Sequence, residues 1–256
     1  MEGRYLPLPL PRRVVNDMLH FARQIPTVPV QRRINVAAAR EARAALTERP
    51  GWCSIFTKAY GIVAQQHPAL RRAHLGFLRS RLYEHPFSIA SVAVEREYEG
   101  EPGVFFGHLR GPEGQPLLTL EAALRKFKDS PIDDIGLFRR GLMVARLPLL
   151  VRRLMWWVGL NSSGPKRAKR LGTFGVSVYS GLGAASLHPL GVLTTTLNYG
   201  VIEADGSVDV RIVYDHRVMD GGTVARALGR LDEVLNGAIV DELRQLQRDE
   251  AARRAA

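Results

Sequence analysis

The order of apolar and polar positions divides the chain into short runs of changing period. Val14 to Gln24 places its apolar side chains at helical spacing, and Pro26 and Pro29 end the run. TVPVQRRINV alternates like a strand, and the Ala- and Glu-rich AAAREARAALTER reads as a helix with a charged face. In WCSIFTKAYGIVAQQHP, the residues Ile55, Phe56, Ala59, Tyr60, Ile62 and Val63 share helical periodicity, stopped by Pro68. PFSIASVAVERE alternates, EYEGEPG reads as its turn, VFFGHLR as the returning strand, and LTLEAALRKFK as another helix. The last third returns to strands: TFGVSVYS, GVLTTTLNYGVIE and, after the turn EADGS, VDVRIVYD. A helix then opens after Gly222 with Val224, Leu228, Leu231 and Leu235 on one face. Asn236-Gly237 caps it, and a polar helical tail continues to Ala256. No repeat appears, and no linker is long enough to separate domains. Strands and helices mix without a regular βαβ rhythm, which predicts one α+β domain over residues 1–237 and a tail over 238–256.

Composition changes this picture in two places. The chain of 256 residues has ordinary globular shares of apolar and charged residues, but its formal net charge is +11. The basic residues are scattered or interleaved with apolar ones. With no helix-turn-helix, zinc or RNA-recognition motif, nucleic acid is not an expected partner. A lone cysteine, Cys53, excludes an internal disulfide and points to a reducing compartment. MEGRYLPLPLPRR has prolines where a signal peptide needs an apolar helix, and no run approaches the roughly 18 apolar residues of a membrane span. The expectation is a soluble, cytoplasmic protein. The histidines show no H-x-x-x-H or Cys-His clustering, so no metal site is expected, and GLGAAS lacks a glycine of the dinucleotide fingerprint.

Candidate chemistry concentrates in YDHRVMDGG, Tyr214 to Gly222. His216 ends a strand and Gly221-Gly222 opens a helix, a junction that holds a side chain rigidly at a cleft. A histidine there can take a proton from a thiol or hydroxyl near neutral pH. On spacing alone a second reading stands beside it: His216 caps the strand, Arg217 and Asp220 form a surface ion pair, and Asp-Gly is an ordinary turn.

DHRVMDG resembles the His-Arg-x-x-Asp-Gly signature of the catalytic domains of 2-oxoacid dehydrogenase acyltransferases, the dihydrolipoamide acyltransferases. Chloramphenicol acetyltransferases share that family's fold. FTKAYGIVAQQHPALR resembles the family's helix ending in His-Pro or a similar pair. GTFGVSVYSGLG resembles its Gly-Thr-Phe-Thr-Ile-Ser segment, and LHPLGVL the Asn-Pro stretch that follows. These blocks come in order over most of Arg12 to Asn236. The resemblance implies a chloramphenicol acetyltransferase-like mixed β-sheet flanked by helices, and a homotrimer with each active site between subunits. It implies that coenzyme A, as acyl-CoA, is a substrate that enters one side of a channel. By the same resemblance His216 is the general base toward a thiol, hydroxyl or amine acceptor, and Ser177 hydrogen-bonds the oxyanion. Asp220 holds the loop through an ion pair with Arg13, or with the adjacent Arg12. A serine hydrolase fits less well: Tyr179 replaces the second glycine of G-x-S-x-G, and Asp215 is adjacent to His216 instead of distant.

The chain departs from the family in three places. It reads as catalytic domain throughout, with no lipoyl domain, subunit-binding domain or Ala/Pro linker, so no lipoyl group is expected on it. RQLQRDEAARRAA is more polar than the apolar tails that join trimers into cubic cores, so a free trimer is expected. LFRRGLMVARLPLLVRRLMWWVGL interleaves Arg139, Arg140, Arg146, Arg152 and Arg153 with apolar residues, and GPKRAKR follows. For Leu137 to Leu160 two readings stand. One is a core-packing helix pair broken at Pro148, with snorkelling arginines. The other is a lid or membrane-surface element, with Trp156 and Trp157 at its boundary, suited to a greasy acyl chain or lipid acceptor. Beyond enzymes, a basic binding protein and an inactive structural trimer are the alternatives, and the joint presence of His216, Ser177 and Asp220 argues against the second.

Overall fold

The computed structural model describes residues 3–76 and 79–255. Met1, Glu2 and Ala256, the outer ends of the Pro-rich start and the polar tail, lie outside the described residues. Helix α1 (Leu10–Ala22) begins earlier than the periodicity predicts, because Pro11 sits in its first turn, where no backbone N–H is needed. It is followed by β1 (Thr27–Asn35), α2 (Ala37–Ala44) and α3 (Trp52–Gln66). A short hairpin of β2 (Arg72–Leu75) and β3 (Arg81–Glu84) comes next; its runs are too short and polar for the alternation to reveal. The expected hairpin of β4 (Ile89–Tyr98) and β5 (Glu101–Arg110) turns at Glu99 and Gly100, both with positive φ, as a two-residue turn between twisted strands requires. Then come α4 (Leu117–Asp129), α5 (Gly136–Ala145), α6 (Leu149–Asn161) and α7 (Gly164–Leu171). The chain closes with β6 (Phe174–Val176), β7 (Thr195–Tyr199), β8 (Ser207–Asp215), α8 (Gly221–Asn236) and α9 (Ala238–Ala255).

Six strands form one sheet in the order β1-β8-β7-β6-β4-β5. It is mixed: β6 runs parallel to both β4 and β7, and the other pairs are antiparallel. This is the mixed sheet with flanking helices expected above. Residues that alternate along each strand divide between two faces. One face carries Val92, Val94, Leu109, Phe174, Val176, Leu197, Ile212 and Tyr214, and it packs in a single core against Phe56, Tyr60 and Val63 of α3 and Val224, Leu228 and Leu231 of α8. The opposite face, by the same register, carries Ser91, Ala93, His108, Gly175, Ser177 and Thr196.

The long alternating run GVLTTTLNYGVIE forms a strand only over Thr195–Tyr199. Val192 leaves the sheet to pack with Phe21 and Leu160, and its carbonyl accepts a 2.7 Å hydrogen bond from Arg167. At the other end, α9 follows α8 across Gly237. Its first turns bury Ile239, Val240 and Leu243 in the main core, so the tail's polar character belongs to its outer face and distal turns.

Candidate active site

Ser177 follows β6 directly, and its backbone is held on both sides. Its N–H donates to Leu197 O at 3.1 Å, and its carbonyl accepts from Asn198 Nδ2 at 2.5 Å. The Ser177 hydroxyl makes no hydrogen bond within the described residues and borders a cavity of about 630 Å³. The floor of this cavity is the small-residue face of the sheet, with Ser91, Ala93, Gly175 and Thr196. Its roof is α1, α5 and α6, which contribute Met18, Leu142, Val144 and Trp156. A free hydroxyl on a rigid backbone beside an apolar space is suited to donating to a developing oxyanion.

His216 lies just past β8. Its N–H donates to Pro26 O at 3.0 Å, and its side chain is 48% exposed. Nδ1 stands 3.6 Å from Asp220 Oδ1, too long for a hydrogen bond, and the Asp220 side chain is 87% exposed at the start of α8. The ion pair expected between Arg13 and Asp220 is not formed within the chain: Arg13 instead donates from Nε to Leu8 O at 3.0 Å. The reason is the length of α1. Its C-terminal end leads to Pro26, beside His216, whereas Arg13 sits near the other end, about three turns and on the order of 14 Å away. The neighbouring candidate Arg12 is exposed and borders the cavity. Nor do Arg217 and Asp220 pair. Arg217 forms a bidentate bridge to the buried Asp215, at 2.9 and 2.8 Å, which fixes the turn that carries His216.

The sheet register sets how far His216 stands from Ser177. Ser177 is level with Asn198 on β7, which pairs with Arg211 on β8. His216 is five residues beyond Arg211, about 16 Å along the strand at roughly 3.3 Å per residue. His216 does not border the cavity. A base and an oxyanion donor acting on one carbonyl must converge within a few ångströms, so these two cannot meet within one chain.

Three groups of the site carried no signal in the sequence. Ser91 and His108 face each other across β4 and β5 and both border the cavity. Loss of water around the His108 ring lowers its pKa to about 4, only partly offset by a backbone contact with Leu171, so it is neutral at neutral pH. Asp17, 1% exposed in α1, receives Arg152 Nε at 2.7 Å and lies 3.1 Å from Arg153 Nε, the latter contact being electrostatic and not a directed hydrogen bond. Arg152 therefore does not snorkel; it locks α6 onto α1. The buried Arg167 spans His74 O and Val192 O, each at 2.7 Å, close to Asp215. Burial lowers its pKa to about 10, against the attraction of Asp215. An aspartate in the polar phase of an amphipathic helix gives no sign that another helix will cover it.

No protein-family model and no curated protein sequence matches the chain. Solved structures do. A probable dihydrolipoamide acetyltransferase from Listeria monocytogenes matches with TM-score 0.66 and 15% identity, over 94% of this chain and 95% of that one. The dihydrolipoamide acetyltransferase of Azotobacter vinelandii, in a study of a serine, a histidine and an asparagine in its catalytic mechanism, matches with TM-score 0.68 and 17% identity, over 93% and 94%. A chloramphenicol acetyltransferase matches with TM-score 0.51 and 14% identity, over 88% and 94%. The fold is thus the chloramphenicol acetyltransferase-like acyltransferase fold, with dihydrolipoamide acetyltransferase catalytic cores among its structural neighbours.

Proposed function

We propose that the protein is a CoA-dependent acyltransferase whose active site assembles between copies of the chain. The observation that carries this reading is the unpartnered Ser177 hydroxyl at the edge of a large apolar cavity, on a fold shared with acyltransferases. In each site His216 of one copy meets Ser177 of the next; the separation of the two within one chain and the exposure of His216 support this arrangement. A ring nitrogen of His216 takes the proton of the acceptor thiol, hydroxyl or amine, and the acceptor attacks the thioester carbonyl. Ser177 donates to the oxyanion; collapse breaks the C–S bond, and the CoA thiolate recovers the proton from His216. Asp220 positions the imidazole through Nδ1 once the copies close. A trimer of 28.4 kDa chains, about 85 kDa, is the assembly proposed.

Purified protein incubated with acyl-CoAs and a panel of acceptors, dihydrolipoamide among them, should release free CoA in an acceptor-dependent way. Acceptor-independent release at the rate of buffer alone would refute the reading.

The outer surface of α5 and α6 favours an additional contact with an anionic lipid surface. The segment Leu137 to Leu160 has two unlike faces: Phe138, Leu142 and Trp156 pack inward, while Leu150 and Leu154 are 82% and 62% exposed. From Ile135 to Gly172 the chain carries no Asp or Glu, and Arg139, Arg140, Arg146, Lys166, Lys169 and Arg170 are exposed, a charge complementary to anionic headgroups. No helix among the described residues is long and apolar enough to cross a membrane, so the contact is peripheral. Sedimentation with vesicles of mixed zwitterionic and anionic lipid tests it: salt should weaken binding, and Leu150→Ser with Leu154→Ser should weaken it further. Equal sedimentation with purely zwitterionic vesicles would remove the charge argument.

A further inference from the structure

Glycine in the interior of a helix is unfavourable relative to alanine, because it loses more backbone freedom on folding, so its presence there calls for a local reason. Two of the three roof helices, α5 and α6, each carry one where they border the cavity. A Cβ built on Gly141 of α5 meets no atom within 4 Å, and one on Gly159 of α6 meets only Arg170 NH1, at 3.8 Å. Neither glycine is required by close packing or by its backbone angles. Both leave open space that any larger side chain would enter, and both belong to the cavity wall. Beneath them the sheet contributes Ala93 and Gly175, again small, so roof and floor together keep the cavity empty.

The lining tells what that space suits. Its interior is built from Val15, Met18, Phe106, Leu142, Val144 and Ala145. Its one acidic residue, Asp17, is held by Arg152 and Arg153. Three exposed arginines, Arg12, Arg140 and Arg170, stand at its edges and carry no ion pair among the described residues. At about 30 Å³ per methylene-sized group, close to a water's share of liquid volume, 630 Å³ holds on the order of twenty such groups. The lining is apolar, the edges are cationic, and a free hydroxyl marks one point of the wall.

We propose that this cavity seats the straight hydrocarbon chain of a medium- or long-chain fatty acyl group, with its carbonyl at Ser177, and that Gly141 and Gly159 set the length of chain admitted. The proposal rests on the acyltransferase reading for the role of Ser177, but the binding of the chain does not. The chain is held by burial of methylenes, and the cationic edges suit the anionic group joined to it, the phosphates of an acyl-CoA or the carboxylate of the free acid.

The test uses the full chain and cis-parinaric acid, a fatty acid that fluoresces when it leaves water. Its emission should rise on addition of the protein. Saturated carboxylates should displace it with an affinity that tightens about 3–4-fold per added methylene, up to the length at which the cavity is full. Gly141→Leu and Gly159→Leu should each move that plateau to shorter chains and weaken the longest carboxylates at least ~10-fold, the loss of two buried methylenes. Carboxylates should compete better than alcohols of equal length. A stronger effect of the alcohols would assign the cavity to an acceptor and overturn the acyl assignment. No rise in emission, or displacement independent of chain length, overturns the proposal on the unmodified chain, whatever the variants do; so does an unchanged plateau in both variants. Chain binding without acyl transfer would leave this site standing and remove the proposed function; transfer of acetyl groups without chain binding would do the reverse.

Discussion

The two faces of the six-stranded sheet are built from the same strands and filled in opposite ways. Toward α3 and α8, each strand presents a large apolar side chain: Ile34, Val92, Leu109, Phe174, Leu197 and Ile212. Phe56 stacks on Tyr199 with ring centroids 4.1 Å apart, and Tyr60 donates to Thr195 Oγ1 at 2.6 Å, leaving little space on that side. Toward α1, α5 and α6 the alternating positions are Ser91, Ala93, Gly175, Ser177 and Thr196, and the roof stands clear of them. A close-packed face supplies stability through burial, whereas a face of small residues supplies room. The roof combines the apolar packing of Phe21 with Leu160 and of Phe105 with Phe138 and Leu142 with one buried cluster, Asp17 with Arg152 and Arg153. One face keeps the strand ends rigid, and the other uses that rigidity to hold Ser177 beside open space.

His216→Ala should produce the largest change, a 10²- to 10⁴-fold loss of acyl transfer, with solution mass and melting temperature unchanged. Near-normal turnover would sever His216 from the chemistry.

Asp17→Ala strikes the roof alone. It leaves the buried Arg152 unpaired and should cost about 3–5 kcal/mol in chemical denaturation. If stability holds, apolar packing carries the roof after all.

Ser177→Ala touches the open face without disturbing the packed one. It should lower kcat about 10²- to 10³-fold with little change in KM, because the oxyanion exists only in the transition state. A rise in KM at constant kcat would make Ser177 a ground-state binding group.

The smallest effect concerns His108. Its folded pKa of about 4 lies below the roughly 6.5 of an unfolded chain, so the unfolded state binds the extra proton between those values. The stability this group contributes is full above pH 6.5 and falls as pH drops toward 4, by up to about 3 kcal/mol. Denaturation curves of His108→Gln should lose the share of the acid-side slope due to His108 and keep that of His85, whose pKa burial also lowers to about 4. An equal slope in both proteins would place it elsewhere.

The elements themselves were legible along the chain wherever a period ran for several residues. α3, α8 and the β4–β5 hairpin follow from the spacing of Ile55 to Val63, of Val224 to Leu235, and from the Glu99-Gly100 turn. The hairpin of β2 and β3 was not, because four-residue strands contain too few alternations. His216, Ser177 and Asp220 stood out by residue type and order, but their relation in space did not. The Arg13–Asp220 pair does not form within the chain: Arg13 sits near the start of α1, whereas the His216 turn that leads to Asp220 meets Pro26, beyond that helix's other end.

Local order along the chain thus decided which segments are helices or strands and which residues stand at their ends, since those depend on neighbours a few positions apart. Tertiary packing decided the rest. The register of β6, β7 and β8 set Ser177 and His216 about 16 Å apart along the strands. The crossing of α6 over α1 paired Asp17 with Arg152, across 135 positions of sequence. The cavity belongs to no single segment: it is the volume left where small residues from three strands face three helices. A long-range pairing and an unfilled space are both sums over distant contacts, and no local period records them.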